Sequence, residues 1–393
     1  MKWFSDAAHV FCREFRMVFR DPGIMLFFFA LPLMYPIVYS LIYNPEVTRD
    51  IPVAVVDSDR TALSREFVRH ADATQAMKIC GYAANIGEAR RWMAEKKCFG
   101  VIYIPSDYTD RVGRGEQGLV HFYSDVSLLL RYRTFLSSLT ELQMATDADL
   151  RQEAINTLGL PVSNNSSIQT EAYFLGDPQQ GFASFIIPGI VVLILQQSML
   201  LGILTLAGTS KDRRRRNGGI DPLAYPASAS ATAVGKALCY VAIYLPLAVY
   251  VLHYIPLIFS FPHIGELHDY FLFILPLLVA TAFLGQAMQG MASERESAFV
   301  IVVFTSVVFL FLSGITWPRY AMNSAWYWVG NLIPSTWGVE GFININNNGS
   351  PLALQSRPYL WMWGLAVVYF LCAVWATRCA QRWKCHPIPT SAV

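Results

Sequence analysis

Charge is scarce in this chain. Lys, Arg, Asp and Glu make up 15% of its 393 residues, where soluble globular domains carry about 25%. A net charge of +2 is too small for a nucleic-acid surface, which needs a concentrated basic face. Nucleotide binding fails on pattern. No GxxxxGK[ST] loop occurs. Gly235-Lys236 comes closest, but Ser230 stands where the first glycine belongs and Ala237 follows the lysine. That chemistry needs the glycine-rich backbone to cradle phosphate. GxSxG and HExxH are missing too, which removes two common hydrolytic devices. The apolar runs hold no cluster of Asp, Glu or His, the groups on which proton-driven transporters rely. Seven cysteines are scattered without CxxC or Cys/His spacing, so no metal site is encoded by pattern. Any energy source must come from another chain.

Long hydrophobic runs are what the sequence has instead. Residues 24–43 carry no formal charge. Their length suits a hydrocarbon core of about 30 Å at about 1.5 Å per residue. Similar runs cover residues 182–207, 237–261, 270–291, 298–316 and 358–376. Hydrocarbon offers no partner to a backbone amide, so each run is expected to be a helix. The first run is too long for a cleaved leader and ends in Tyr43-Asn44-Pro45 rather than in small residues, so it reads as an uncleaved anchor. Orientation follows the basic residues of the short loops. Lys2, Arg13, Arg16 and Arg20 precede the first run. Lys211, Arg213, Arg214, Arg215, Arg216 and Lys236 follow the second, and Arg378, Arg382 and Lys384 follow the last. Residues 262–269 have no Lys or Arg. Both termini are therefore expected in the cytoplasm, which requires an even number of spans, and six fits.

The expected fold is an α-helical polytopic membrane protein with an inserted α/β domain outside the membrane. Residues 1–23 form an amphipathic interface segment. In it Val10, Phe11, Phe15, Val18 and Phe19 lie in the interface while Arg13, Arg16 and Arg20 face water and phosphates. Residues 24–43 are the first span, 44–181 the outer domain, 182–380 spans two to six, and 381–393 a cytoplasmic tail. In the outer domain, strands are expected at residues 51–57, 77–82, 99–104 and 119–123, alternating with helices at 59–71 and 86–96. A long helix over about 127–158 is expected to return toward the membrane. Ser58 or Asp59 would cap the first helix. Cys80 and Cys98 each sit near the start of a strand. Two buried thiols are preferred there over a disulfide. Asn164, Asn165 and Asn348 begin N-x-S triplets, which matter only in a eukaryotic secretory pathway.

Several segments together resemble the permease subunit of ABC-2 type transporters, in the exporter branch with a large domain after the first span. Phe19-Arg20-Asp21-Pro22 before a helix with Pro32 and Pro36 resembles the opening of that family. Ile51-Pro52-Val53-Ala54-Val55-Val56-Asp57 and Gly100-Val101-Ile102-Tyr103-Ile104-Pro105 are similar to its outer domain. Lys211 through Lys236, with Pro222 and Pro226, resembles the connection between spans two and three. Leu312-Ser313-Gly314-Ile315-Thr316-Trp317-Pro318 followed by Asn331-Leu332-Ile333-Pro334 resembles the signature near span five. One departure stands out. The acidic, Gly-Thr-containing stretch usual after span two is here Arg213-Arg214-Arg215-Arg216-Asn217-Gly218-Gly219.

The resemblance implies an efflux-type exporter of hydrophobic or amphipathic cargo in the inner cell membrane. It implies two permease copies or a pair with a paralogue, and separate ABC ATPase subunits that use ATP and Mg. A membrane-fusion adaptor and an outer-membrane channel would be further partners. This chain would bind no cofactor itself and would be no enzyme. ATPase docking is expected at Asp212, Arg213, Arg214, Arg215, Arg216, Asp221, Glu294 and Arg295, and along the amphipathic segment. The arginine run also reads as a simple topological anchor. Gln196, Gln197, Gln286 and Gln289 are candidates for a substrate path, although helix-packing hydrogen bonds explain such amides equally well. A re-entrant segment at about 317–341 would carry an outer gate with Trp317, Pro318 and Pro334. Two other readings stay open: a non-transporting membrane protein whose outer domain binds a ligand, and a membrane enzyme. For the enzyme, the only candidate cluster is His253, His263 and His268 with Glu266 and Asp269, which suits an ordinary outer loop.

Overall fold

A computed structural model of the chain describes residues 2–43, 49–114, 116–125, 129–158, 182–218 and 221–382. The tail beyond Arg382, including Cys385 and Lys384, lies outside the described residues, as do Asn164 and Asn165. The chain forms two compact units, residues 1–44 with 174–393, and residues 45–173. Among its described residues the first unit contains six helices long and apolar enough to cross a membrane: Pro22–Tyr43, Phe182–Arg216, Ala229–Ile258, Leu267–Met288, Arg295–Leu312 and Leu352–Gln381.

Helix α1 spans Lys2–Arg20 and is strongly amphipathic. Its buried stripe is Ala7, Val10, Glu14 and Val18, spaced three or four residues apart along one face. This corrects the expectation for that segment, because Val10 and Val18 pack on protein rather than lie in the interface. Phe4, Phe15 and Phe19 remain exposed. The first span starts where the chain must turn. Asp21 accepts from the N–H groups of Gly23 and Ile24, and Pro22 occupies the first helical position, where its missing N–H costs nothing. One widened turn follows at Leu26–Ala30.

The second unit is a four-stranded sheet with helices on it. In chain order it comprises β1 (Ile51–Asp57), α2 (Ala62–Asp72), β2 (Met77–Tyr82), α3 (Ile86–Ala94), β3 (Gly100–Ile104), α4 (Tyr108–Gly113), β4 (His121–Ser124) and α5 (Leu129–Leu158). The sheet order is β2-β1-β3-β4. The first three strands run parallel and β4 is antiparallel to β3. The central β1 is buried along nearly its whole length, as a strand covered on both faces must be. Thr61, not Ser58 or Asp59, caps α2 through a reciprocal bond with Ser64. Asp57 instead accepts from Asp59 N–H, Arg60 N–H and the Ser64 hydroxyl. Phe135, Leu139 and Leu142 of α5 are buried in the same core as β1 and β3, so this half of α5 belongs to the domain itself.

Both outer thiols are free, but only Cys98 is buried as expected. β1 separates β2 from β3, yet the two thiols lie close enough to interact, and each bears on the ionisation of the other. Cys80 sits at a bulge, where the register passes from Val53↔Ile79 to Ala54↔Gly81, and it is exposed. Cys98 is buried, and burial pushes its thiol up to about 11.

The membrane helices pack around the second span, 83% of whose apolar window is buried, against 17% for the fifth. This helix continues to Arg216, so the arginine run lies on a helix and not in a loop. Lys and Arg are good helix formers, and nothing in that run breaks the ladder. The third span likewise begins at Ala229, with Ser228 as its cap. Between spans five and six, α6 (Ser324–Asn331) and α7 (Pro334–Asn348) form a helical hairpin. Replacing fully buried Ile102 in β3 by Ala should destabilise the second unit by about 2–5 kcal/mol. Amide exchange of β1 and β3 in the detergent-solubilised chain should accelerate accordingly, while exchange in the second span stays unchanged.

Candidate functional site

The basic end of the bundle gathers charges from four chain segments. α1 docks along the third span where Gly235 permits close approach. A Cβ there would lie 2.5 Å from the carbonyl oxygen of Ala7 and 2.9 Å from Val10 Cβ. One turn further along α1, fully buried Glu14 pairs with Lys236 at 2.8 Å and accepts from the Tyr240 hydroxyl at 3.1 Å. Arg13 adds a contact at 3.5 Å. Burial opposes ionisation of Glu14, but Lys236 and Arg13 outweigh it and hold the carboxyl below its usual range. A buried charge is tolerable only when paired in this way.

The loop after the second span is tied down rather than free. Asp221 accepts from the Ser210 hydroxyl at 2.6 Å, from Arg213 Nε at 3.2 Å and from Leu223 N–H at 3.1 Å. Burial works against its ionisation, yet these bonds hold its carboxyl below the ordinary range. Arg13 donates to the Leu223 carbonyl at 3.1 Å. The Tyr225 ring stacks on His9 at 5.3 Å, and its hydroxyl reaches Asp6 at 3.4 Å. Gln381 of the sixth span donates to the Ala227 carbonyl. Leu223 and Tyr225 still expose 45% and 36% of their surface, which leaves an apolar rim on a rigid loop.

The start of the fifth span closes the network. Arg295 donates to both oxygens of Asp21, at 2.8 and 3.0 Å, in the bidentate geometry suited to guanidinium. Its own N–H donates to Asp212 at 3.2 Å. Arg215 meets Glu294 at 2.5 Å on the surface. Lys211 donates to the carbonyls of Gln289, Gly290 and Ala292, which satisfies acceptors left over at a helix end. Gly208 admits this turn, because a Cβ there would meet the Glu294 carbonyl oxygen at 2.4 Å. Six of the eight residues expected to dock a partner, Asp212, Arg213, Arg215, Asp221, Glu294 and Arg295, thus bond to one another, to Asp21 or to Ser210. Arg216 is exposed and Arg214 half-buried.

The opposite end is built around the hairpin. Pro318 caps a short turn at Arg319–Ala321, and Pro334 begins α7. Arg319 bonds Glu340 and Asn331. Its guanidinium lies 4.4 Å from the ring centre of fully buried Trp337, which stacks on Trp361 and donates to the Asn331 carbonyl. Trp317 lines an apolar cavity of about 420 Å³ with Phe311, Met322 and Trp326. The anchor of this end is therefore Arg319 with Glu340 and Trp337, which the spacing of tryptophans and prolines did not single out.

The four glutamines do not converge. Gln196 accepts from Ser335 N–H at 2.8 Å and so caps α7 from the second span. Gln286 donates to the Ala233 carbonyl, and Gln289 to the Thr377 hydroxyl. Three of them are bonds between helices. Only Gln197 leaves both side-chain atoms without a hydrogen-bond partner. Among the described residues, no group of three metal-ligating side chains occurs.

Residues 22–375 match the family described as ABC-2 family transporter protein. No curated protein is significantly similar to the chain.

The depressed carboxyls of Asp21, Asp221 and Glu14 set a pH dependence. Their contribution is complete above the ordinary carboxylate range and is lost as pH falls through the depressed values, that is, below about pH 4. The thermal stability of the solubilised chain should fall over that window. Asp221→Asn should cost about 1–2 kcal/mol near neutrality and flatten part of the acid loss.

Proposed function

We propose that this chain, which belongs to the ABC-2 transporter family, is the permease subunit of an ATP-driven exporter. Membership of the family makes it a multi-pass membrane component of transport that associates with ABC ATPase subunits. Its basic end is read as cytoplasmic, by the excess of Lys and Arg there. The observation that carries the reading is the anchored loop at residues 221–227, which presents Leu223 and Tyr225 beside α1.

On this reading a separate ATPase pair, using ATP and Mg, docks on that rim, with Arg214 and Arg216 beside it. The six bonded residues transmit the push instead of touching the partner. ATP-driven closure would move α1, the 221–227 loop and the start of the fifth span as one body. Such coupling requires contact energies that differ between the two states. The cargo is hydrophobic or amphipathic and leaves the cytoplasm or inner leaflet. The hairpin of α6 and α7 serves as the outer gate, locked by Arg319 and Glu340. Two permease chains, identical or paralogous, would enclose the path. The 45–173 unit would meet a membrane-fusion adaptor and an outer-membrane channel in an envelope with two membranes.

Leu223→Asp and Tyr225→Ala should each weaken co-purification with a co-expressed ABC ATPase partner, without changing the folded yield of the permease. Transport by the purified chain alone, down an ion gradient, would remove the reading. Arg319→Gln should lower transport in proteoliposomes while ATPase assembly and hydrolysis persist; equal transport by the variant would exclude a gating role.

A further inference from the structure

The end of the bundle opposite the basic network holds a second polar chain, one that the transport reading does not use. The third span contains one widened turn at Tyr250–Tyr254, which brings His253 to the bundle end. His253 Nδ1 lies 2.7 Å from His263 Nε2. His263 Nδ1 lies 3.0 Å from Asn346 Oδ1 on α7. The Tyr270 hydroxyl donates to the same oxygen at 3.2 Å, and the Tyr270 ring stacks on His263 at 4.7 Å. Three elements meet in this chain: the third span, the 259–266 loop with the start of the fourth span, and α7.

Proton counting determines the tautomers. Asn346 Nδ2 donates to the Pro262 carbonyl at 3.0 Å, so its Oδ1 must be the atom that faces His263. An amide oxygen only accepts, so His263 Nδ1 carries hydrogen. Neutral His263 then offers a lone pair at Nε2, and His253 Nδ1 donates to it. One extra proton is tolerated, on the outer nitrogen of His253. A second has only His263 Nε2 to occupy, where it would face another N–H across 2.7 Å with two positive rings in contact.

We propose that His253 and His263 form a proton-operated latch that holds α7 to the third and fourth spans and opens when both imidazoles are charged. The surroundings favour the closed form near neutrality. Burial, and the neighbouring His253, keep His263 less basic than a free imidazole despite its bond to Asn346. No Lys or Arg occurs among residues 259–270. The facing groups are Tyr254, edge-on to His253, Tyr270, and the triplet Glu266, His268 and Asp269. In that triplet His268 contacts both carboxylates, and Asp269 also accepts from Leu352 N–H. On α7 the nearest ion pair, Glu340 with Arg319, lies more than a turn from Asn346. A group whose basicity is depressed by folding stabilises the fold above its ordinary value and loses that contribution as pH falls. Acidification therefore opens the latch. The inference is independent of whether the chain transports anything.

Two backbone amides report the latch directly. Ile264 N–H donates to the Asn346 carbonyl at 3.1 Å, and Gly265 N–H donates to the Tyr270 hydroxyl at 3.1 Å. Hydrogen exchange of these two amides in the purified full chain, between about pH 7.5 and about pH 5, is the test. Rates are divided by those of unstructured reference amides to remove intrinsic acid dependence. In the unaltered chain, protection of both amides should drop about tenfold or more across the window. In His253→Gln the step should vanish, since an amide can turn either its oxygen or its NH₂ toward His263 and so accept the charged ring. His268→Gln should keep the step. No step in the unaltered chain overturns the latch, and that measurement decides even if His253→Gln does not fold. A step that survives His253→Gln, or that disappears in His268→Gln, overturns it equally.

Discussion

Hydrocarbon gives a polar atom no partner, so a polar group in the buried bundle is costly unless it finds one within the chain. That constraint organises the membrane unit. Its charges gather at the two ends, and at the basic one Glu14, Lys236, Asp21, Arg295, Asp212, Arg213 and Asp221 pair with one another. Its amides are turned into bonds between helices, as with Gln196 to α7 and Gln286 to the third span. A mutation that orphans one member of these pairs costs more than the bond itself contributed, because the remaining group stays buried.

The same constraint suits the basic end to the coupling proposed for it. Six separate charged contacts on flexible loops would absorb a push; bonded as they are, they join α1, the 221–227 loop and the fifth span. The second span then runs as a strut from this network to the hairpin, with Asp212 at one end and Gln196 nearer the other. Interfaces packed this densely rearrange between discrete arrangements more readily than they deform. The two ends use different chemistry. The basic end relies on paired full charges, with the carboxyls of Glu14, Asp21 and Asp221 held below their ordinary range. The far end relies on imidazoles, whose ordinary range lies near neutrality.

The second unit follows ordinary soluble rules. Its central β1 is buried on both faces, and α2 and α3 carry side-chain caps. α5 contributes Phe135, Leu139 and Leu142 to that core, which makes the long helix part of the domain.

By itself the sequence determined six spans, their approximate limits, the strand order along the outer segment and the family. These are properties of consecutive residues: apolar length, alternation, caps such as Asp21-Pro22, and the placement of Lys and Arg. It also drew attention to charged residues at the basic end, because scarce charges near span ends stand out, but as docking candidates and without Glu14 or Asp21 as their partners. Only the tertiary structure decided who pairs with whom. Nothing near Arg295 in the chain points to Asp21, more than 270 residues away, and Glu14 reads as one polar residue on an amphipathic helix until Lys236 and Tyr240 arrive from the third span. Cys80 is exposed at a bulge while Cys98 is buried, a difference that their shared place near a strand start did not reveal. His253, His263 and His268 stood out in the sequence only as a cluster that an ordinary outer loop would suit, and the structure joins His253 and His263 to Asn346 instead. Local pattern specifies elements; the partner of a buried charge is set by packing, which brings together residues that sequence distance keeps apart.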